Sequence, residues 1–293
     1  QHIAQYSFLD KAAIVAEGDY DKSDGAVTTP NPWRLCSVTR IEEVKMMIRL
    51  LPVWATTILF WTTYAQMITF SVEQATTLDR SIGSFQIPAG SLTVFFVGSV
   101  LVTLAVYDRV IIPVMKRSKG KDGFTNLQKI GIGLFLSVIG MAAAAGTEAR
   151  RLSVAHKNMH HYDSKKTPLP ISVFTLIPQF LLIGAGEAFM YTGQLDFFIT
   201  RSPKGMKTMS TGLFLTTISL GFFFSSALVS AVKAMTGWLA DDINTGRLDL
   251  FYGLLAGLST MNLVAYLVVA AKARTNEETT EIAKESISLE EKC

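Results

Sequence analysis

Residues 81–107 read SIGSFQIPAGSLTVFFVGSVLVTLAVY, 27 consecutive positions without an Asp, Glu, Lys or Arg. A helix needs about 20 predominantly apolar residues to cross the hydrocarbon core of a bilayer. Five further uncharged runs lie on either side: 50–72, 130–147, 167–186, 208–232 and 250–271, with 23, 18, 20, 25 and 22 residues. Soluble amphipathic helices set charges opposite an apolar stripe, and these runs carry none. The reading is an all-α, polytopic membrane protein with six transmembrane helices, whose first partner is the lipid bilayer. The net charge of +3 comes from scattered loop residues, not from one basic face, which argues against a nucleic-acid partner.

The flanking segments complete the organisation. Residues 1–37, with Asp19, Asp21, Lys22, Ser23, Asp24 and Gly25 and breakers at Pro30 and Pro32, read as a linker with too little apolar surface to order itself. Residues 38–272 form the six-helix domain, and 273–293 an acidic, solvated tail with Glu277, Glu278, Glu281, Glu285, Glu290 and Glu291. At the start of the domain Ile41, Val44, Ile48 and Leu51 share a face, with Glu42, Glu43, Lys45 and Arg49 around it. That pattern predicts a short amphipathic segment lying along the membrane ahead of the first span. Residue 1 is Gln, and no signal peptide precedes the first apolar run, so the expectation is a piece of a longer chain. Cys36 and Cys293 lie outside the spans and suggest neither a disulfide framework nor a metal site.

Lys and Arg in the loops set orientation. Fifteen fall in the approach to the first span (34–49), in 108–129, in 197–207 and just after the sixth span; eight fall in the opposite connections. Both ends are therefore expected in the cytoplasm, with 148–166 dissenting through Arg150, Arg151, Lys157, Lys165 and Lys166.

Ionisable and polar residues within spans are costly and point to function. Glu187, in Gly184-Ala185-Gly186-Glu187-Ala188-Phe189, is the outlier; a carboxylate near a span centre costs about 3 kcal/mol on insertion scales. No other span offers it a cation, so its partner is expected to be water in a cavity or a Lys or Arg upstream of this chain. It reads either as a gating or proton-linked group or as a carboxylate hydrogen-bonded between helices. Tyr191 lies one turn on and shares its face. Tyr64 and Gln66 are polar members of the first span, and such groups line cavities or bond across helices. Asp108-Arg109 ends the second span, where an acid-base pair can lock it to a neighbour. His156, His160 and His161 lack a carboxylate or Cys in register and read as loop residues rather than a metal site. No nucleophile elbow, phosphate-binding glycine loop or soluble acid pair suggests an enzyme.

Several stretches resemble one family. Gly184-Ala185-Gly186-Glu187-Ala188, Tyr191-Thr192-Gly193-Gln194-Leu195-Asp196-Phe197-Phe198, Pro203-Lys204-Gly205-Met206-Lys207 and Gly221-Phe222-Phe223-Phe224-Ser225-Ser226 resemble the plant nitrate/peptide transporter family. That family belongs to the proton-coupled oligopeptide transporter branch of the major facilitator superfamily. Phe60-Trp61-Thr62, Ala65-Gln66, Leu78-Asp79-Arg80-Ser81-Ile82-Gly83 and Tyr107-Asp108-Arg109 are similar to it as well. The resemblance covers about 35–275 and is closest to the clade of the dual-affinity nitrate transporter.

It implies the C-terminal six-helix half of a major facilitator fold, in the plasma membrane, with protons as coupling ion and no other cofactor. A small inorganic anion, nitrate first and chloride second, is the implied substrate; a peptide, hormone or organic acid, or a transport-inactive regulatory fragment, are the alternatives. Glu187 matches an acidic residue that pairs with a Lys on the fourth span of the N-terminal half. Phe222 matches a pocket aromatic. Tyr64 stands where the dual-affinity transporter has a nitrate-binding histidine, and Ile68 where it has a threonine. Assembly as a homodimer stays open.

Overall fold

The computed structural model describes residues 6–14, 20–21, 29–30, 36–120, 122–158, 168–240 and 242–290. Seven α-helices carry the fold: α1 Val38–Thr77, α2 Thr93–Val106, α3 Ile112–Lys119, α4 Asn126–Asn158, α5 Ile177–Arg201, α6 Lys207–Met235 and α7 Leu248–Glu290. A π-turn, Tyr107–Ile111, joins α2 to α3, and the resulting Ala89–Ser118 is one span among six long and apolar enough to cross a membrane. The six uncharged runs each fall within or overlap one of these.

Local sequence explains the boundaries. The Ser37 hydroxyl accepts the Arg40 N–H at 3.4 Å, an N-cap that starts α1 at Val38. Gly120, in the left-handed region at φ 64°, stops α3. Pro178 occupies the first turn of α5, where its missing N–H costs nothing. Pro52 lies inside α1 without ending it, as membrane helices allow when neighbours support the backbone.

Two expectations change. The amphipathic segment 38–49 is not a separate surface helix; it forms the first turns of α1. Its charges are held by protein: Lys45, fully buried, donates to Asp10 at 2.6 Å and Glu42 at 3.0 Å, which pins the 3-10 turn Ser7–Ala13 against α1. Second, 148–158 is not loop, because α4 runs on to Asn158 and takes Glu148 and Arg151 into the core. The backbone of α7 stays helical through the acidic tail to Glu290. His160 and His161 lie outside the described residues, and His156 is exposed on α4.

The helices pack α4 on α5 and α7, α1 on α6, and α2 on α5. Small residues permit the closest approaches. A methyl group added at Gly133 of α4 would come within 2.9 Å of the Gly186 carbonyl oxygen on α5. Two apolar clusters fill the interior. One, around Phe60, Trp61, Leu134, Met190, Phe197 and Phe214, lies toward the end where α1 begins. The other, around Met67, Phe96, Phe180, Phe251 and Leu255, lies toward the opposite end. Tyr64 packs against both and marks their junction.

At that opposite end Leu78–Asp79 pairs in parallel with Leu169–Ser172. A short hairpin, Ser81–Ile82 with Phe85–Gln86, follows, turned by Gly83 at φ 60°. The Asp79 carboxylate accepts the Ser81 N–H at 3.0 Å, which holds its carboxyl below the usual carboxylate range.

Candidate functional site

The site is built where α1, α2, α5 and α6 meet. Tyr64 projects from the middle of α1 among aromatic rings. Its centroid lies 5.5 Å from Phe96 of α2, 6.3 Å from Phe222 of α6, and 5.4 and 6.4 Å from Trp61 and Phe60 of its own helix. Glu187 of α5 stands close enough to Tyr64 for the two groups to interact electrostatically. The one carboxylate of α5 and the tyrosine of α1 are thus neighbours.

Tyr191, one turn along α5 from Glu187, is 41% exposed and sets its ring edge-on to Trp61 at 6.5 Å and Phe214 at 5.1 Å. Phe222 is 46% exposed. Glu187, Tyr64 and Ile68 are half-buried, Ile68 one turn beyond Tyr64. The wall is therefore aromatic and partly open, with one carboxylate and two phenols as its titratable groups. Gln66 leaves this wall: its amide donates to the Ser225 carbonyl at 2.9 Å and to the Ser225 hydroxyl, tying α1 to α6.

Asp108 and Arg109 lie apart from the site. Both are exposed on the π-turn, and neither forms an ion pair among the described residues. The neighbouring Tyr107 fastens this end instead. Its hydroxyl accepts the Phe124 N–H at 3.0 Å, its ring meets Phe189 at 5.5 Å, and Lys129 stands over the ring at 5.4 Å.

Reading the sequence missed two buried polar networks. In the first, Gln194 of α5 donates to Thr57 of α1 at 2.9 Å and to Thr217 of α6 at 2.8 Å, and accepts the Trp61 indole N–H at 3.2 Å. In the second, Arg151 holds Glu148 through two bonds of 2.7 and 2.8 Å. Arg151 also reaches Thr77, Asn244 and the Ile243 carbonyl, while Glu148 accepts Gln74 at 2.6 Å. An Arg three residues after a Glu on one helix was the available signal; placing both in a loop hid it.

Residues 5–244 match the sequence profile of the POT family, PTR2. Protein NRT1/PTR family 6.2 of Arabidopsis thaliana is 64% identical over 292 residues, covering 98% of this chain and 50% of that protein. Protein NRT1/PTR family 6.3 of the same plant is 51% identical, covering 91% and 45%. The chain thus spans about half the length of the curated relatives it matches. Among solved structures, the POT family transporter PepTSo superposes with a TM-score of 0.62 at 16% identity, covering 82% of this chain and 44% of that one. An auto-inhibited POT family peptide transporter gives 0.60 at 15%, covering 79% and 42%. Those two likenesses carry the six-helix transporter fold, and with the profile and the plant relatives they lead to one conclusion: the chain belongs to the POT family of multi-pass membrane transporters.

Proposed function

We propose that this chain is the C-terminal six-helix half of a proton-coupled anion transporter, with nitrate as the substrate. The observation that carries the reading is the Tyr64–Glu187 pair on a partly open aromatic wall. Transporter folds built of two halves place substrate near the bilayer midplane between them, and Tyr64 and Glu187 both lie well inside their helices. The rings of Phe96, Phe222, Phe60 and Trp61 crowd Tyr64, which favours a small planar solute over a bulky one. The phenol offers one O–H donor. Glu187 cannot attract an anion while ionised; a Lys from the upstream half neutralises it, and a proton taken up at Glu187 releases that Lys to the substrate. Rocking of the halves then carries proton and anion together. The excess of Lys and Arg in one set of connections supports a cytoplasmic position for both ends in this reading, with the plasma membrane as the membrane it crosses.

The test is anion-evoked current in oocytes expressing the full-length protein. Nitrate should evoke inward current that grows as external pH falls, with chloride weaker and a dipeptide silent. Dipeptide current exceeding nitrate current would favour the peptide-transporter reading instead.

A further inference from the structure

Helices α1 and α5 run antiparallel, and two amide bridges between them share the register that brings Tyr64 near Glu187. Seven residues back along α1 and seven forward along α5, Thr57 meets Gln194 at 2.9 Å. Seven residues forward on α1 and eight back on α5, Ser71 meets Gln179 at 3.1 Å, and Gln74 accepts the same amide at 3.3 Å. Seven residues are two helical turns, about 10 Å of rise. The pair at the site is therefore bracketed by an amide bridge two turns away on each side.

Both bridges are out of contact with solvent: Thr57, Ser71, Gln74 and Gln194 are 0% exposed and Gln179 is 1%. Each is anchored further. Gln194 also holds Thr217 and Trp61. Gln74 is fixed by the Glu148–Arg151 ion pair, which reaches α4 and the connection before α7. Polar groups buried this way are costly unless bonded, and bonded they specify one arrangement; Gln194 and Gln74 are bonded at both ends of their amides, while the Gln179 Oε1 has no partner among the described residues. Tyr64 and Glu187, by contrast, are half-buried and face each other without a further amide bridge of their own among the described residues.

We propose that Gln194 and the Gln74–Gln179 pair are positioning residues: they lock the register of α1 against α5 and so set the reach of the Tyr64 hydroxyl to Glu187. The proposal rests on the reading of that pair as part of the transport site. Without the amide bridges, sliding α1 along α5 would move Tyr64 off Glu187 while the apolar clusters stayed largely packed.

The experiment is a double-mutant cycle on the full-length transporter in oocytes, reading the KM for nitrate current together with surface abundance. Gln194→Leu removes one bridge outright, and Thr57→Val with Thr217→Val removes its acceptors with little change of shape. Gln179→Leu removes the other. Each should raise KM about three- to tenfold, the range expected for coupled neighbours, with abundance near wild type. In a Tyr64→Phe background the same substitutions should raise KM no further. An unchanged KM, or an equal rise in that background, overturns the proposal, as does lost abundance at unchanged KM in both the Gln194→Leu and the Thr57→Val/Thr217→Val variants. Glu187→Gln run alongside separates the two levels. If it transports like wild type, the site reading falls and takes the proposal with it; if it fails while the amide variants keep wild-type KM, the positioning claim alone falls.

Discussion

Arg151 grips Glu148, three residues earlier on α4, with two hydrogen bonds of 2.7 and 2.8 Å, and neither side chain is more than 2% exposed. One helical turn thus carries a fully desolvated ion pair at the end of the bundle opposite the start of α1. Removing one partner of such a pair strands a buried charge, at a cost of about 3–5 kcal/mol. Arg151→Met should therefore lower the thermal midpoint of the purified full-length protein sharply. Glu148→Gln combined with Arg151→Met should cost less than Arg151→Met alone. Strictly additive losses in a thermal-shift series would show that the two do not act as a pair.

Gly221 of α6 faces Trp61 so closely that an added methyl would overlap the Trp61 Cβ. Overpacking a filled interface costs about 1–3 kcal/mol, so Gly221→Ala should loosen α6 from α1 and reduce stability. Gly212, nine residues earlier on the same helix, has nothing within 4 Å of such a methyl, and Gly212→Ala should be neutral. Thermal unfolding of the two variants in one detergent makes the comparison.

The Tyr107 hydroxyl is the acceptor for the Phe124 N–H. Tyr107→Phe should keep the ring contacts with Phe189 and Lys129 and lose about 1 kcal/mol. The change should be local: faster hydrogen exchange of the Phe124 amide, with the α4 and α5 amides unaltered.

At Tyr64 the comparison of interest is histidine. A histidine takes a proton near pH 6.5 and offers a cation; a tyrosine stays neutral over that range. Charge-assisted bonds are about twice as strong as neutral ones, and about 1.4 kcal/mol is tenfold in affinity. Tyr64→His should lower the half-saturation constant for nitrate and raise the nitrate-to-chloride ratio, more so in acid. Ile68 supplies no second polar contact and should blunt the gain. Currents at two pH values check this.

The spans were legible because a bilayer leaves a one-dimensional signature: charge-free runs of fixed length. Glu187 was legible for the same reason, as a charge where none is tolerated cheaply. Its neighbour was not. Tyr64 is 123 positions away, and nothing local says which helices touch or in what register. The same limit hid the Gln194 bridge, whose members each read as an ordinary polar residue in a span. Charge in 148–158 misled, because Arg150, Arg151 and Lys157 look like loop whenever charge is equated with water. Arg151 is instead satisfied by Glu148, Thr77, Asn244 and the Ile243 carbonyl, so helix and core extend past the apolar run. Asp108-Arg109 drew the eye as charges, while the adjacent Tyr107 makes the contacts.

Replacing Glu187 by Gln tests the account most directly, since it removes the charge and leaves the size. Nitrate current should be measured against external pH from about 5.5 to 7.5, a range centred on the histidine value, with surface abundance quantified in the same cells. Current should be abolished or strongly reduced at every pH, with abundance near wild type. Wild-type current and pH dependence in Glu187→Gln would contradict this and leave Glu187 a structural carboxylate held between helices.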